Sequence, residues 1–208
     1  MIVIVDYDTG NTRNLKKALD YLNVPNQLSA DPATILAADG IILPGVGAFQ
    51  KAMLALQERQ LISVLQTAAA KGQPMLGICL GMQLLFETGY EFGEAKGLGI
   101  LPGEIVPLPK KKGYKVPHMG WNTNLATQSN RFGKIFDQQA TYFVHSYYAQ
   151  TSARNIVAQA DYSVEIPSIV QQNNVIGMQF HPEKSGAIGL KGLNAFKEMA
   201  LDERLSRN

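Results

Sequence analysis

The stretch "PMLGICLGMQLLFE" (residues 74–87) decides the fold of this 208-residue chain. Residues 74–79 form a short apolar run, which is typical of a strand buried on both faces. Residues 82–87 have the pattern that opens a helix. The only cysteine of the chain, Cys79, stands at the end of the predicted strand. The stretch therefore predicts a buried strand, a tight turn that carries a thiol, and a helix.

The segments before this stretch repeat the alternation of strand and helix. Residues 2–7 and 40–45 are apolar and contain β-branched side chains, which predicts two further buried strands. Residues 12–23 predict a helix, and residues 49–71 are helical in pattern with a weak point near Gln60. This alternation predicts βαβ units and a mostly parallel sheet flanked by helices.

The second half of the chain has a different pattern. Residues 140–149 predict a strand, and Asn173-Asn174 stands between two apolar runs, which predicts a hairpin. Residues 185–205 predict a C-terminal helix. We therefore expect one α/β domain over residues 1–208, in which the mostly parallel sheet has an antiparallel extension.

The composition excludes several classes of protein. The chain is 46% hydrophobic and 17% charged, which is ordinary for a globular domain. No apolar run approaches the ~20 residues that span a bilayer, and the apolar N-terminus lacks the basic region of a signal peptide. A single cysteine forms no internal disulfide, and a net charge of +2 does not favour nucleic-acid binding. We expect a cytoplasmic protein without nucleic-acid or membrane partners.

The cysteine has the surroundings of a nucleophile. Gly77 and Gly81 flank Cys79 at two residues on either side, which matches the G-x-nucleophile-x-G turn between a strand and a helix. Such a turn would point the Leu80 N–H toward the group that the sulfur attacks, and a helix N-terminus favours the thiolate. The alternative is that Cys79 is a small buried apolar residue, as most lone cysteines are.

A cysteine nucleophile needs a base and donors for an oxyanion. His181 follows a predicted strand, and Glu183 stands two residues later, where an extended chain would place both side chains on one side. "LPGVGAF" (43–49) follows a predicted parallel strand, so Gly45 and Gly47 could offer backbone N–H groups at the same sheet edge. A plain strand-to-helix turn is the alternative for this segment.

The motifs "PGVGAF", "GICLGMQLLFE" and "HPEKS", in this order and spacing, resemble the class I (triad) glutamine amidotransferases over essentially the whole chain. The resemblance implies a three-layer fold and hydrolysis of glutamine to glutamate and ammonia. It assigns Cys79 as the nucleophile, His181 as the base and Glu183 as the group that orients the base. It places the oxyanion donors at Leu80 and at Val46–Gly47. No metal and no cofactor are implied.

Three further segments resemble the glutaminase subunits of imidazole glycerol phosphate synthase: "DYDTGNTRNL" (6–15), "PHMGWN" (117–122) and "YFVHSYY" (142–148). These subunits act in histidine biosynthesis and form a heterodimer with a (β/α)₈ cyclase, which uses the ammonia. Asp8 and Thr9 depart from this pattern, since the family commonly has glycine and a small or apolar residue there.

The resemblance also implies a substrate pocket and a partner surface. The residues expected to hold glutamine are Gly45, Gln83, Glu91, Ser146 and Tyr147. The residues expected at the cyclase interface are His118 and Trp121, together with Asn11, Asn14 and Lys184, which are candidates for the interface or for relaying a signal from it. Other interpretations stay open: Glu91 as a solvated loop residue, Trp121 as a core residue, and the asparagines as helix-capping or loop residues. We expect His145 to have a structural or pocket-lining role.

Other functions share parts of this pattern. The glutaminase subunits of anthranilate or aminodeoxychorismate synthase are the nearest alternatives, and "PHMGWN" and "HPEKS" argue against them. A free-standing γ-glutamyl hydrolase would have the same fold and triad but no partner. An inactive interaction module is disfavoured, because the chain retains the complete Cys79, His181 and Glu183 set.

Overall fold

The computed structural model describes the backbone of residues 1–207 and the side chains of residues 1–201. The described strands are β1 (Ile2–Val5), β2 (Asn26–Ser29), β3 (Gly40–Leu43), β4 (Met75–Ile78), β5 (Thr88–Gly89), β6 (Ala95–Lys96), β7 (Glu104–Pro107), β8 (His118–Ala126), β9 (Ala140–His145), β10 (Tyr147–Gln150), β11 (Ile156–Asp161), β12 (Glu165–Gln172) and β13 (Val175–Met178). The α-helices are α1 (Thr12–Tyr21), α2 (Pro32–Leu36), α3 (Phe49–Glu58), α4 (Ile62–Ala70), α5 (Leu80–Leu84), α6 (Arg131–Phe136) and α7 (Gly186–Arg207). Short 3₁₀ helices span Ala153–Asn155 and Pro182–Lys184.

Among the described residues, nine strands form one large sheet in the order β2-β1-β3-β4-β13-β12-β11-β8-β9. The pairs from β2 to β13 in this order are parallel, and the remaining pairs are antiparallel. The mostly parallel sheet and its antiparallel extension are thus confirmed. Strands β10, β7, β5 and β6 form a second, four-stranded sheet, which the sequence did not predict.

The large sheet is covered on both faces, which makes the fold three-layered. Alternate residues of β1 belong to different cores: Val3 and Val5 lie in one apolar cluster, and Ile2 and Ile4 lie in the other. The first cluster includes side chains of α3, α4 and α5, and the second includes side chains of α1, α6 and α7. Since both faces are buried, the parallel strands are continuous apolar runs rather than alternating ones.

Two elements differ clearly from their predictions. The segment 140–149 is two strands, because the chain leaves the large sheet after β9 and enters the small sheet as β10, next to β7. The helix expected to open at 82–87 begins two residues earlier and ends at Leu84, since Thr88 and Gly89 already belong to β5. The weak point predicted near Gln60 in the segment 49–71 is confirmed, since Gln60 has a φ of 58° between α3 and α4. The predicted hairpin between β12 and β13 is confirmed.

Within the part of the chain that the structure describes, no helix has the length and apolar character needed to cross a membrane.

Candidate active site

Cys79 occupies a strained turn between β4 and α5. Its φ of 54° and ψ of −112° are rare for a residue with a side chain, and such strain is concentrated at functional sites. The flanking glycines are required by space. A Cβ on Gly81 would lie 1.8 Å from the Leu43 carbonyl oxygen, and a Cβ on Gly77 would lie 2.7 Å from the Met82 Cα. The strand, the strained cysteine and the helix therefore form a nucleophile elbow.

His181 and Glu183 form a buried pair at the same sheet edge. Strand β13 pairs with β4 in parallel, so the residues that follow both strands lie side by side. His181 Nδ1 is 2.8 Å from Glu183 Oε1, and the two side chains are only 2% and 3% exposed. The short 3₁₀ helix Pro182–Lys184 turns the carboxylate back toward the imidazole. The ring therefore donates a hydrogen bond from Nδ1 to the Glu183 carboxylate, and Nε2 is the nitrogen left for proton transfer.

The environment of His181 favours its charged form. Burial alone lowers the pKa of the imidazole, but the interactions with Cys79 and Glu183 outweigh it and raise the pKa to about 9. Nε2 is buried and has no hydrogen-bond partner among the described residues. The ring is thus an imidazolium at neutral pH, with Nε2 available to the sulfur or to a bound substrate.

A cavity of about 400 Å³ opens above the sulfur, a size that suits a small molecule. It is lined by Val46, Gly47, Cys79, Leu80, Gln83, Glu91, Pro117, Val144, His145, Ser146, Tyr147 and His181. Most of the predicted nucleophile, base, oxyanion and substrate positions thus share one space. Within the described residues, no three histidine, cysteine or acidic side chains are grouped so that they could hold a metal ion.

Gly45 is the predicted substrate residue that does not line this cavity. It is buried behind the elbow, where an added Cβ would lie 2.8 Å from the Gly81 nitrogen. The position gives Gly45 a packing role, since only glycine allows the two turns to approach so closely. Gly47, in contrast, has a φ of 99° and open space around its Cα.

Glu91 and Gln83 hold the cavity wall through identifiable hydrogen bonds. The Phe49 N–H, at the start of α3, donates to Glu91 Oε2 over 2.7 Å, so Glu91 is not a freely solvated loop residue. The buried Gln83 side chain donates to the Tyr147 carbonyl oxygen over 2.9 Å. Both side chains are therefore fixed before any ligand binds, which lowers the entropy cost of recognition.

The residues expected at the partner surface lie in different environments. Trp121 is 59% exposed and packs edge-on against Tyr142, and the Lys184 ammonium lies 5.8 Å from the centre of the Tyr142 ring. We call Trp121, Tyr142 and Lys184 the aromatic patch. It lies beside the candidate site, because the backbone N–H of His181 donates to the backbone carbonyl of Tyr142.

Two of the expected interface residues make contacts inside the protein. His118 is only 3% exposed, between the rings of Phe143 and Tyr162, so the expectation that its side chain faces a partner is wrong. It points inward because β8 alternates buried and exposed side chains. Asn11 donates to Glu183 Oε1 over 3.3 Å and does not cap α1 through its side chain. Asn14 is exposed.

No sequence motif marked Gln179, which is fully buried beside the sulfur. Its Nε2 lies 4.0 Å from Cys79 Sγ, and its Oε1 accepts from Gln83 Nε2 over 3.0 Å. A signal was available, because Gln179 precedes His181 by two residues in an extended segment, and such residues share a face. The Val144 carbonyl, 3.8 Å from Sγ, left no side-chain signal in the sequence.

Comparisons with known proteins agree with this geometry. The family model for "Glutamine amidotransferase class-I" matches residues 3–196, and the chain belongs to that family. The imidazole glycerol phosphate synthase subunit HisH of Lacticaseibacillus casei is 65% identical over 208 residues, which is 100% of both chains. The HisH subunit of Lactiplantibacillus plantarum is 60% identical over the full length of both chains.

Solved structures support the fold. A glutamine amidotransferase crystal structure superposes with a TM-score of 0.76 at 17% identity, covering 96% of this chain and 99% of the other. The structure of PurLQS from Thermotoga maritima gives a TM-score of 0.69 at 18% identity, covering 97% of each chain. At these identities the likeness establishes the class I amidotransferase architecture.

Proposed function

We propose that this chain is the glutaminase subunit of imidazole glycerol phosphate synthase in histidine biosynthesis. It hydrolyses L-glutamine to glutamate and ammonia and supplies the ammonia to a cyclase subunit. The observation that carries the chemistry is the strained Cys79 elbow in one cavity with the His181–Glu183 pair. The pathway is supported by full-length relatives that are named as subunits of that synthase.

The proposed reaction passes through a thioester on Cys79. The thiolate attacks the side-chain amide carbon of glutamine, and the carbonyl oxygen becomes an oxyanion held by backbone N–H groups. His181 then protonates the leaving nitrogen as the C–N bond breaks, which releases ammonia. Water attacks the thioester, His181 accepts its proton, and glutamate leaves. Glu183 keeps the imidazole in the orientation that presents Nε2 to the sulfur.

The oxyanion and substrate roles follow from position in the cavity. We assign the Leu80 N–H, at the start of α5, and an N–H of the Val46–Gly47 segment as the oxyanion donors. Glu91 would bind the ammonium of glutamine, because a charged amine in a partly dry cavity needs an anionic partner. The Ser146–Tyr147 segment would hold the carboxylate end. Gln83, whose amide nitrogen already donates to the Tyr147 carbonyl and to Gln179 Oε1, would offer its Oε1 to the ammonium.

The partner would bind at the aromatic patch together with the exposed Asn14. An exposed tryptophan on β8, next to the edge strand β9 of the sheet, is a typical anchor for a protein interface. Because the backbone N–H of His181 donates to the Tyr142 carbonyl, a cyclase bound at the patch would lie close to the proposed catalytic base. We propose a cytoplasmic heterodimer in which this chain, residues 1–208, is a single amidotransferase domain.

Control of the glutaminase would reside in the segment between Gly45 and Gly47. Val46 is 40% exposed and stands between two glycines, one with a positive φ. A peptide in such a setting can turn its N–H toward or away from the cavity at low steric cost. This N–H would then point into the cavity, as an oxyanion donor, only when the cyclase and its nucleotide are bound. Glutamine would therefore not be hydrolysed when no acceptor for ammonia is present.

The test is glutamate release from glutamine by three preparations: the chain alone, the chain with a bacterial-type cyclase, and the mixture with the phosphoribulosyl-formimino nucleotide added. We expect low activity alone and a strong rise only in the ternary mixture, with Cys79→Ala inactive throughout. High activity of the chain alone, on glutamine or on γ-glutamyl peptides, would instead indicate a free-standing hydrolase. Activity only with a chorismate-dependent synthase would indicate another pathway.

A further inference from the structure

Two buried histidines outside the proposed triad form a hydrogen-bonded chain that ends at the cavity wall. His118 Nδ1 lies 3.0 Å from His145 Nε2, and His145 Nδ1 lies 2.9 Å from the Tyr147 carbonyl oxygen. On the other side, Asn122 Nδ2 lies 3.3 Å from His118 Nε2. The two histidines are partners at the end of the β8–β9 ladder, so the backbone holds their side chains together.

The direction of every bond in this chain follows from the Tyr147 carbonyl. A carbonyl oxygen only accepts, so His145 Nδ1 carries the proton, and the Nε2 of a neutral ring must then accept. His118 Nδ1 is therefore a donor and its Nε2 an acceptor. The Asn122 amide fits as the donor to that atom, since its Nδ2 also donates to the Asp161 carbonyl over 2.8 Å.

Both rings are held neutral and immobile. Burial lowers the pKa of His118 to about 4. The pKa of His145 is about 3: burial is the largest cause, the hydrogen bond to the Tyr147 carbonyl opposes it, and the electrostatic interactions with His118 and His181 add to the lowering. The His118 ring stacks between Phe143 and Tyr162, with ring centroids 4.8 Å and 4.0 Å away. A neutral ring clamped in this way has one fixed donor and one fixed acceptor.

The Tyr147 carbonyl oxygen connects the two hydrogen-bonded histidines to the side chains next to the proposed catalytic cysteine. It accepts from His145 Nδ1 and also from Gln83 Nε2, and Gln83 is linked through Gln179 to the neighbourhood of Cys79 Sγ. It also lies just after the point where the chain passes from the large sheet into the small one. Loss of the His145 donor would leave the Tyr147 carbonyl with the Gln83 donor, and the wall with the β10 ladder and the bond from the Leu108 N–H to the Ser146 carbonyl.

We propose that His118 is a positioning residue for glutamine: its Nδ1–H donates to His145 Nε2, which holds the His145 ring on the Tyr147 carbonyl and so steadies the Ser146–Tyr147 wall of the substrate pocket. This inference rests on the proposed glutaminase function. It separates two properties of the site. Recognition of the glutamine skeleton depends on His118, whereas the reactivity of Cys79 depends on His181.

Three variants test whether the His118 Nδ1–H donor is needed. His118→Phe keeps a flat ring between Phe143 and Tyr162 but removes both nitrogens. His118→Asn places an amide N–H close to the former Nδ1 position and so restores the donor. Thr123→Val, on the exposed side of β8, is the matched control for a change in the same strand. Each full-length protein is first compared with the parent for its thermal unfolding midpoint.

The readout is the rate at which Cys79 is alkylated, followed by mass spectrometry with two reagents. Iodoacetamide reports the reactivity of the thiolate, and 6-diazo-5-oxo-L-norleucine must first be bound as a glutamine analogue. For His118→Phe we expect about a tenfold lower rate with the analogue, the effect of losing one buried hydrogen bond, and an unchanged rate with iodoacetamide. His118→Asn should recover most of the loss, and Thr123→Val should match the parent.

Several results would overturn the inference. Equal rates for His118→Phe and the parent with both reagents would show that the donor is dispensable. Equal losses with both reagents, together with a lower unfolding midpoint and no rescue by His118→Asn, would indicate a merely structural ring. A ¹⁵N spectrum of the parent with the proton on His145 Nε2 would also contradict it. If glutamine did not slow labelling of the parent by the analogue, the proposed function itself would fail, which is a distinct outcome.

Discussion

The side chains of Asn11 and Glu183, 172 residues apart in the sequence, are joined by a hydrogen bond of 3.3 Å from Asn11 Nδ2 to Glu183 Oε1. The same oxygen accepts from His181 Nδ1 over 2.8 Å. Asn11 directly precedes α1, so this helix fixes the carboxylate that orients the proposed base. Asn11 is thus a neutral side chain that donates to Glu183 and supports the candidate triad from outside it.

Removal of the Asn11 amide should weaken catalysis more than substrate binding. For Asn11→Ala we expect kcat in the stimulated complex to fall about fivefold with little change in KM, because one hydrogen bond to a partly buried carboxylate is lost. Asn11→Asp should cost more, since a second carboxylate would repel Glu183. The measurement is steady-state glutamate release, with Asn194→Ala on α7 as the control. A change confined to KM would contradict this role.

The charge of His181 should depend on Cys79. In the parent, a ¹⁵N NMR titration should give a pKa of about 9, so that the ring is protonated at neutral pH and loses its proton as the pH rises through that value. Cys79→Ala removes an interaction that raises the pKa and leaves the burial that lowers it, so the pKa should fall. Glu183→Gln should lower it as well. An unchanged pKa in Cys79→Ala would show that the sulfur and the ring do not interact.

The Val46 N–H should be needed for stimulated activity. Val46→Pro removes this donor, and we expect glutaminase activity in the ternary mixture to fall about 100-fold, as it does when one oxyanion donor is lost. Val46→Ala keeps the N–H and should stay close to the parent. Alkylation of Cys79 by iodoacetamide should be similar in both variants. Full stimulated activity in Val46→Pro would exclude Val46 as the switching donor.

The aromatic patch should carry a large part of the affinity for the cyclase. Trp121→Ala should weaken the complex by about 30-fold or more, since a central tryptophan anchor is typically worth at least ~2 kcal/mol. Tyr21→Ala, which removes an aromatic side chain that is 75% exposed at the end of α1, is the matched control. Isothermal titration calorimetry with the purified cyclase gives both affinities. Equal affinities would place the interface elsewhere.

The sequence predicted the parallel sheet and the elbow because those signals are local. A buried parallel strand is a continuous apolar run, and the glycines around Cys79 stand at the positions where a Cβ would collide with the backbone. The small sheet was missed because β5 and β6 have only two residues each, too short to show a period. The transfer of the chain between sheets after His145 also leaves no local signal.

Contacts in the site could be predicted between residues that are close in the sequence, and could not be predicted between residues that are far apart in it. His181 and Glu183 lie two residues apart, so their pairing could be predicted, although the 3₁₀ helix Pro182–Lys184 and not the assumed extended chain brings them together. The pairing of His118 with His145 depends on the register of the β8–β9 ladder, which one sequence does not specify. His118 was therefore expected at a partner surface, although the pleat of β8 turns it inward.

The most direct test of the account is protection of Cys79 by glutamine. The purified chain is treated with 6-diazo-5-oxo-L-norleucine at increasing glutamine concentrations, and the adduct is located by peptide mass spectrometry. We predict one adduct, on Cys79, whose rate of formation falls as glutamine saturates the cavity, and none in Cys79→Ala. Labelling that glutamine does not slow, or an adduct on another residue, would contradict the assignment of Cys79 as the nucleophile of a glutaminase.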